Sequence, residues 1–248
     1  MPISGVLARA TEALATDLGL DGMVPARFTL DLFSPALQMP TMTTASVVRR
    51  GRRLCLIDAS FMQQGRAVAR SSTLFLTASE APAGAVWSAG ISPAPPPRDL
   101  RPDSDEQRLY FTETTGWSQS PSAEPSAERK QSWHFPIPIV EDELLTPFQM
   151  ATSVADSGNV VSNWGSAGLQ FINADVTLAL TRQPIEMEFG LSALDRVEAD
   201  GISVGSAVMF DRAGVFGTTT IVGLANALRS VDPRTRKRIP QPANKTRD

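Results

Sequence analysis

The chain has very few of the residues that build covalent or metal-bound scaffolds. Among its 248 residues there is one cysteine, Cys55, and one histidine, His134. A single cysteine excludes an intrachain disulfide framework and a cysteine metal cluster, and a reducing cytoplasm is the simplest compartment for such a chain. A Ser-His-Asp triad or a zinc site would depend on His134 alone. Because His134 lies in the proline-interrupted stretch WHFPIPI, we interpret it as a partly buried, hydrogen-bonded structural residue.

Long apolar runs and an excess of positive charge are also missing. No run approaches the roughly 18 apolar residues that span a bilayer, and the first residues lack the basic and apolar regions of a signal peptide. The net charge of −3 gives no electrostatic footprint for nucleic acid. We therefore expect a cytoplasmic protein with neither nucleic acid nor membrane as a partner. Its 42% hydrophobic and 20% charged residues suit a globular fold with a sizeable core.

Two segments have the apolar spacing of a helix, and strand-like runs follow each of them. Residues 3–18 and 143–161 are the predicted helices, the second with Leu144 in its apolar stripe. The runs after the first helix are 26–33, 41–49, 53–63 and 66–77; those after the second are 169–180, 186–197, 202–210 and 215–224. A helix followed by a meander of strands predicts an α+β layer in which the helix covers one face of an antiparallel sheet.

The region between these two units has a different composition. Residues 81–132 contain eight prolines among serines and acidic residues. This composition predicts a linker or a surface excursion with one short strand near 107–114, and we favour a tether over an active-site lid. A polar tail, Asp232–Asp248, carries a basic cluster that we interpret as solvated and disordered instead of phosphate-binding.

The two units repeat one plan at an offset near 150 residues. The matching features are a proline after the first strand and two turn glycines, which are Pro35, Gly51 and Gly65 in the first unit and Pro184, Gly201 and Gly214 in the second. Repetition at this length indicates a duplicated domain. We predict halves at 1–90 and 139–230, a segment 91–138 between them and a tail 231–248, with the sheets joined edge to edge or back to back.

Three segments resemble the acyl-CoA thioesterase II-like family of the thioesterase-like superfamily. They are VVRRGRRLCLIDASFMQQGRAVARSSTLFL, SVADSGN followed by NWGSAGLQFINADVTLALTRQP, and DRAGVFGTTTIVGL. The resemblance implies a double hotdog, that is, two tandem domains in which an antiparallel sheet wraps around a central helix. It also implies a homodimer. Family members begin with a strand and a Gly-Gly pair before the first helix, so we expect one edge strand to be missing from the first half.

The same resemblance implies where the chemistry lies. The acid that this family carries on the second helix corresponds to Asp156. The hydroxyl or amide residue that it carries on the next strand corresponds to Asn173. The glutamine that the family carries on the last strand corresponds to Ile221, whose side chain cannot form a hydrogen bond. Thr219 lies two residues before it and points to the same face of the strand. We expect Asp156 to act as general base and Asn173 to position the water. Trp164 is a candidate for the wall of an acyl pocket.

These expectations leave two main hypotheses. The first is hydrolysis of a fatty acyl-CoA or similar acyl thioester, with no cofactor and no metal. The second is a non-catalytic protein that binds acyl thioesters on the same fold, because Ile221 replaces the family glutamine. A hotdog hydratase is a weaker third reading, since such enzymes use a catalytic histidine and His134 lies outside both predicted helices. Without the resemblance, Asp156 reads equally well as a helix-end residue and Asn173 as a strand-start residue.

Overall fold

The first half consists of one long helix and four antiparallel strands. The computed structural model describes residues 2–102, 107–119 and 126–226, so the predicted tail from Asp232 lies outside the described residues. Helix α1 (Pro2–Asp17) forms where the apolar spacing predicts it. The strands are β1 (Met23–Leu32), β2 (Met42–Arg50), β3 (Leu54–Gln63) and β4 (Arg66–Thr77). Strand β3 alternates buried and part-exposed residues along its whole length, so one of its faces packs on α1.

The second predicted helix is two shorter helices, α2 (Pro147–Ala155) and α3 (Gly158–Asn163). It begins later than predicted because Thr146 caps α2, accepting a hydrogen bond from the Gln149 backbone N–H at 3.1 Å, and Pro147 occupies the first turn. The assignment of Leu144 to an apolar stripe was therefore wrong; its side chain is 96% exposed. The break after α2 falls at Asp156 and Ser157.

The second half adds its own strands and those of the segment before it. They are β10 (Phe171–Asn173), β11 (Asp175–Leu180), β12 (Phe189–Ala199), β13 (Ile202–Asp211) and β14 (Gly214–Ala225). A separate hairpin contains β8 (Trp164–Gly165) and β9 (Gly168–Leu169). The segment predicted as a linker contains β5 (Arg108–Thr112), β6 (Gly116–Ser118) and β7 (Gln131–His134), and β7 pairs with β12. This segment thus extends the sheet of the second half, while the domain boundaries stay a prediction.

One antiparallel sheet of twelve strands runs through both halves, in the order β2-β3-β4-β1-β11-β14-β13-β12-β7-β5-β6, with β10 beside β14. The halves meet edge to edge where β1 pairs with β11 and Thr29 lies opposite Thr177. A shift of 148 residues relates the two halves at this join, since Pro25 pairs with Phe75 as Asn173 pairs with Gly223. Thr29 and Thr177 therefore mark a pseudo-twofold axis.

The helices α1 and α2 pack side by side on the inner face of this sheet and share one core. Phe28 of β1 meets Phe148 of α2 edge to face, with 6.1 Å between the ring centroids. Cys55 is fully buried in a second cluster under α1, and burial raises the pKa of its thiol. Among the described residues, no helix combines the length and the apolar character needed to cross a bilayer.

His134 is buried at the end of β7, as the sequence predicted for a structural histidine. Its Nε2 lies 2.9 Å from the Ser132 hydroxyl oxygen. Burial and the nearby Arg108 guanidinium lower the pKa of His134 well below the ordinary value.

Candidate functional site

The acid and the amide singled out in the sequence are in direct contact. Asp156 follows the last turn of α2, and Asn173 is the final residue of β10. The Asn173 side-chain N–H donates to Asp156 Oδ1 at 2.6 Å and to the Asp156 backbone carbonyl at 3.1 Å. Both side chains are only part-buried, so this polar pair lies at the rim of the core and not inside it.

Strand β14 forms the floor beneath this helix end. Thr219 is 1% exposed, and its hydroxyl donates to the Ala155 carbonyl at 3.3 Å. Ile221 is fully buried. A Cβ atom placed on Gly158 would lie 3.1 Å from the side chains of both Thr219 and Ile221, so α3 begins directly above these two residues. Ile221 thus supplies packing at the position where the family resemblance predicts a glutamine.

Two further glycines let α3 approach the sheet closely. A Cβ on Gly205 of β13 would lie 2.3 Å from the Ser162 hydroxyl oxygen, and a Cβ on Gly223 of β14 would lie 3.3 Å from Asn163 Nδ2. A helix at this distance leaves no room for a side chain below it. The close approach fixes α3, and through Ser157 it also fixes the helix break that carries Asp156.

A chain of hydrogen bonds leads from the polar pair along α3, and sequence reasoning missed it. Asn159 Nδ2 donates to the Phe171 carbonyl at 3.0 Å, two residues before Asn173. Asn163 Nδ2 donates to Asn159 Oδ1 at 2.8 Å, and Arg196 Nε donates to Asn163 Oδ1 at 2.7 Å. The signal in the sequence was the pair of asparagines four residues apart, which lie on one face of a helix.

This chain of side chains borders an open cleft of about 570 Å³. Trp164, Phe171 and Arg196 are among its lining residues, together with the β8–β9 hairpin. Trp164 is 6% exposed, and its indole N–H has no hydrogen-bond partner among the described residues. The structure therefore places the predicted pocket residue Trp164 in the wall of a cleft beside α3, while Thr219 and Ile221 lie under α3.

The geometry suits reactions that need an oriented water. Both contacts donated by the Asn173 amide go to Asp156, which leaves the Asn173 side-chain oxygen as an acceptor. A carboxylate and an amide oxygen can each accept one hydrogen from a water molecule. Within the described ranges, no three His, Cys, Asp or Glu side chains lie close enough together to hold a metal ion.

The equivalent place in the first half is not equipped in this way. By the shift of 148 residues, Ala8 stands for Asp156, Pro25 for Asn173 and Thr73 for Ile221. Thr73 donates to the hydroxyl of Thr11 on α1 at 3.2 Å, both groups being buried. Helix α1 also continues without a break past Ala8. Only the second half combines an acid, an amide and a helix break.

Comparison with known families fits this picture. Residues 2–76 match the family model described as "Acyl-CoA thioesterase N-terminal domain". The predicted family resemblance is confirmed. The match to this thioesterase model covers α1 and nearly all of β1–β4, the half without the acid–amide pair. No curated protein matches the chain.

Solved structures confirm the double hotdog fold. A putative thioesterase II from Thermobifida fusca has a TM-score of 0.64 at 14% identity, covering 90% of this chain and 85% of its own. The acyl-CoA thioesterase II TesB2 from Mycobacterium marinum has a TM-score of 0.62 at 18% identity, covering 90% and 89%. A hot dog fold protein of unknown function from Alicyclobacillus acidocaldarius has a TM-score of 0.61 at 16% identity, covering 89% and 85%.

Proposed function

We propose that this chain hydrolyses an acyl thioester, such as a fatty acyl-CoA, with a water held by Asp156 and Asn173. The observation that carries the proposal is the 2.6 Å hydrogen bond between these two side chains at the broken helix of the second half. The match of residues 2–76 to a thioesterase domain supports an acyl-CoA as the substrate class.

In this proposal the carboxylate of Asp156 is the general base. It takes a proton from the water as the water oxygen attacks the thioester carbonyl carbon. Asn173 holds Asp156 through its N–H group and accepts the second hydrogen of the water through its oxygen. The tetrahedral intermediate then collapses with cleavage of the carbon–sulfur bond. The sulfur leaves as a thiolate and receives the proton that Asp156 took from the water, so one thioester and one water give one acid and one thiol.

The direct test replaces the base without changing its shape. Asp156→Asn should lower kcat/KM for acyl-CoA hydrolysis by about 10²–10⁴-fold, the range typical for loss of a general base. Thiol release from acyl-CoAs of several chain lengths, followed with a disulfide reagent, measures this rate.

Asp142→Asn is the matched control. Asp142 is exposed and has a positive φ of 62°, a conformation that asparagine also adopts. The Asp142→Asn variant should therefore keep the wild-type rate of hydrolysis. Absence of turnover with every acyl-CoA, or unchanged turnover in Asp156→Asn, would rule out the proposed role.

A second candidate function is acyl-thioester binding without hydrolysis, and one observation favours it. Ile221 is fully buried against Gly158 and offers no hydrogen bond where the family has its glutamine. On this reading titration calorimetry would show acyl-CoA binding while no thiol is released. Ile221→Gln would then gain activity, whereas Ile221→Leu, which keeps the apolar bulk and adds no amide, would not. If wild-type protein turns over and Ile221→Gln does not improve it, the binding-only function is wrong.

A further inference from the structure

The loops that follow β1 and β11 are held in the same way, one in each half. After β1, the Leu37 N–H donates to Gln63 Oε1 at 3.1 Å, and Gln63 Nε2 donates to the Leu37 carbonyl at 2.8 Å. After β11, the Ile185 N–H donates to the Asp211 carboxylate at 3.0 Å. By the shift of 148 residues, Ile185 stands for Leu37. Asp211 stands for Gln63 by the same shift, so a buried polar side chain fixes each loop at the same point.

The loop after β1 begins beside the acid–amide pair. The Leu32 N–H donates to the Ala174 carbonyl at 3.1 Å, and Ala174 directly follows Asn173. The other half shows how such a loop lies. Gln183, in the loop after β11, donates to the Pro25 carbonyl at 3.4 Å, and Pro25 stands for Asn173. Each loop therefore borders the helix–strand unit of the other half, and the loop after β1 borders the one that carries the acid.

The two loops differ in charge. Residues 33–48 contain no charged side chain, whereas the equivalent residues 181–196 contain five. Ion pairs tie the second loop to neighbouring segments, because Glu186 accepts from Arg98 at 3.0 Å and lies 3.6 Å from Arg212 Nε. Covering such ion pairs with a hydrocarbon chain would cost desolvation free energy. The loop after β1 carries no such cost.

Two apolar side chains of the loop after β1 are open to solvent. Phe33 is 57% exposed and Leu37 is 66% exposed. At the position of Phe33 the second half has Thr181, whose hydroxyl donates to a backbone carbonyl of β14 at 3.1 Å. Ile185 is exposed in the second loop, but it lies directly beside Glu186. Exposed apolar side chains in an uncharged segment are typical of a ligand-binding surface, and here they occur only at the half that carries the acid.

We propose that the loop after β1, residues 33–39, binds the hydrocarbon chain of an acyl thioester whose carbonyl lies at Asp156 and Asn173. This inference rests on the function proposed above. The hydrocarbon chain leaves the thioester carbonyl and covers Phe33 and Leu37, which removes apolar surface of both partners from water. We call residues 33–39 the acyl loop.

The hydrogen bonds from Gln63 give the acyl loop its shape before a ligand binds. Both backbone polar groups of Leu37 are satisfied by this one buried side chain. A surface that is already ordered loses less conformational entropy on binding. Affinity should therefore rise with the length of the acyl chain, because each further methylene group covers more of a preformed apolar surface.

Titration calorimetry of the full chain with two CoA thioethers, which cannot be hydrolysed, tests the acyl loop. Wild-type protein should bind S-dodecyl-CoA at least about tenfold more tightly than S-butyl-CoA, since each buried methylene group raises affinity about fourfold. Leu37→Gln should weaken binding of S-dodecyl-CoA by about tenfold, because it replaces an apolar contact by a polar group of similar size. The same change should leave S-butyl-CoA within about twofold of wild type, because the short chain covers little of the loop.

Ile185→Gln is the matched control, since Ile185 has the equivalent loop position and is 69% exposed. It should leave both affinities at the wild-type level, and circular dichroism checks that each variant is folded. Equal affinity of the wild type for the two thioethers would overturn the proposal. So would an unchanged preference in Leu37→Gln, or an equal loss in Ile185→Gln.

Thiol release from dodecanoyl-CoA and butanoyl-CoA separates the acyl loop from the hydrolysis itself. A chain-length preference in thioether binding without any thiol release would contradict the proposed hydrolysis and support the acyl loop. Thiol release from both substrates without a chain-length preference in binding would contradict the acyl loop alone. If both proposals hold, Leu37→Gln should raise KM for dodecanoyl-CoA and leave hydrolysis of butanoyl-CoA near the wild-type rate.

Discussion

At the scale of single residues, the only histidine gives the fold a defined response to acid. His134 is buried and its pKa is lowered well below 6.5, first by burial and then by Arg108. The unfolded chain takes up a proton near the ordinary pKa of about 6.5, whereas the folded chain does not. The unfolded state therefore binds more protons below that pH, and stability falls as pH decreases. This contribution is fully present above about pH 6.5 and is lost progressively below it.

His134→Gln should remove this acid sensitivity while keeping a polar group near Ser132. The free energy of unfolding of the wild type should fall by up to about 1.4 kcal/mol for each pH unit in this window because of His134. Urea titrations about one unit above and one unit below pH 6.5 measure the difference. The variant should lose less stability than the wild type between the two conditions; equal losses would mean that His134 does not titrate in this way.

The sequence predicted which two polar side chains meet, but not which residues surround them. Asp156 and Asn173 came from a family resemblance, and the structure brings them into contact, while their catalytic roles stay a prediction. Asn159 and Asn163 were not recognised, because a hydrogen-bonded chain depends on neighbours from distant strands. The same holds for Ile221. Its sequence position showed a missing amide, and only the packing of α3 shows that Gly158 lies directly above it.

At the scale of elements, the position of α3 depends on glycines in the strands below it. Gly205→Ala would bring a methyl group within 2.5 Å of Ser162 Cβ, which is fixed to the helix backbone, so α3 must move away from β13. Overpacking of this kind costs about 1–3 kcal/mol. We expect a lower melting temperature and reduced thiol release, because the helix break that holds Asp156 moves with α3. Gly165→Ala is the matched control, since nothing lies within 4 Å of that added methyl group. Equal stability of the two variants would contradict close packing of α3.

Elements with a strong periodic pattern of apolar residues were predicted well. Elements whose ends depend on a local cap were not. Helix α1 and strands β1–β4 lie within a few residues of their expected bounds. The hairpins at Gln64-Gly65 and Asp200-Gly201 explain why, because positive φ at both residues of each pair suits a tight two-residue turn. The second helix was misjudged at both ends. Its start depends on the Thr146 cap, and its break at Asp156 has no periodic signature.

At the scale of the whole molecule, the spacing of turns in the sequence predicts the duplication. Edge-to-edge joining was one of two predicted arrangements, and the pairing of β1 with β11 selects it. The addition of β5, β6 and β7 to the second half was not predicted beyond one short strand, because proline-rich flanks concealed them. A sheet that is continuous through both halves, with α1 and α2 in one core, implies that neither half unfolds alone.

Two probes already present in the chain test this cooperativity. Cys55 is buried in the first half, Trp164 is buried in the second half, and Trp133 is buried in the segment that extends the sheet of the second half, while Trp87 is 86% exposed and should respond little. Brief thiol labelling and tryptophan emission should therefore give one common midpoint in a urea titration. Phe28→Ala sharpens the test, because Phe28 belongs to the first half and contacts Phe148 of the second. This change should cost about 3–5 kcal/mol and lower both midpoints equally. A shift in the Cys55 midpoint alone would show that the halves unfold independently.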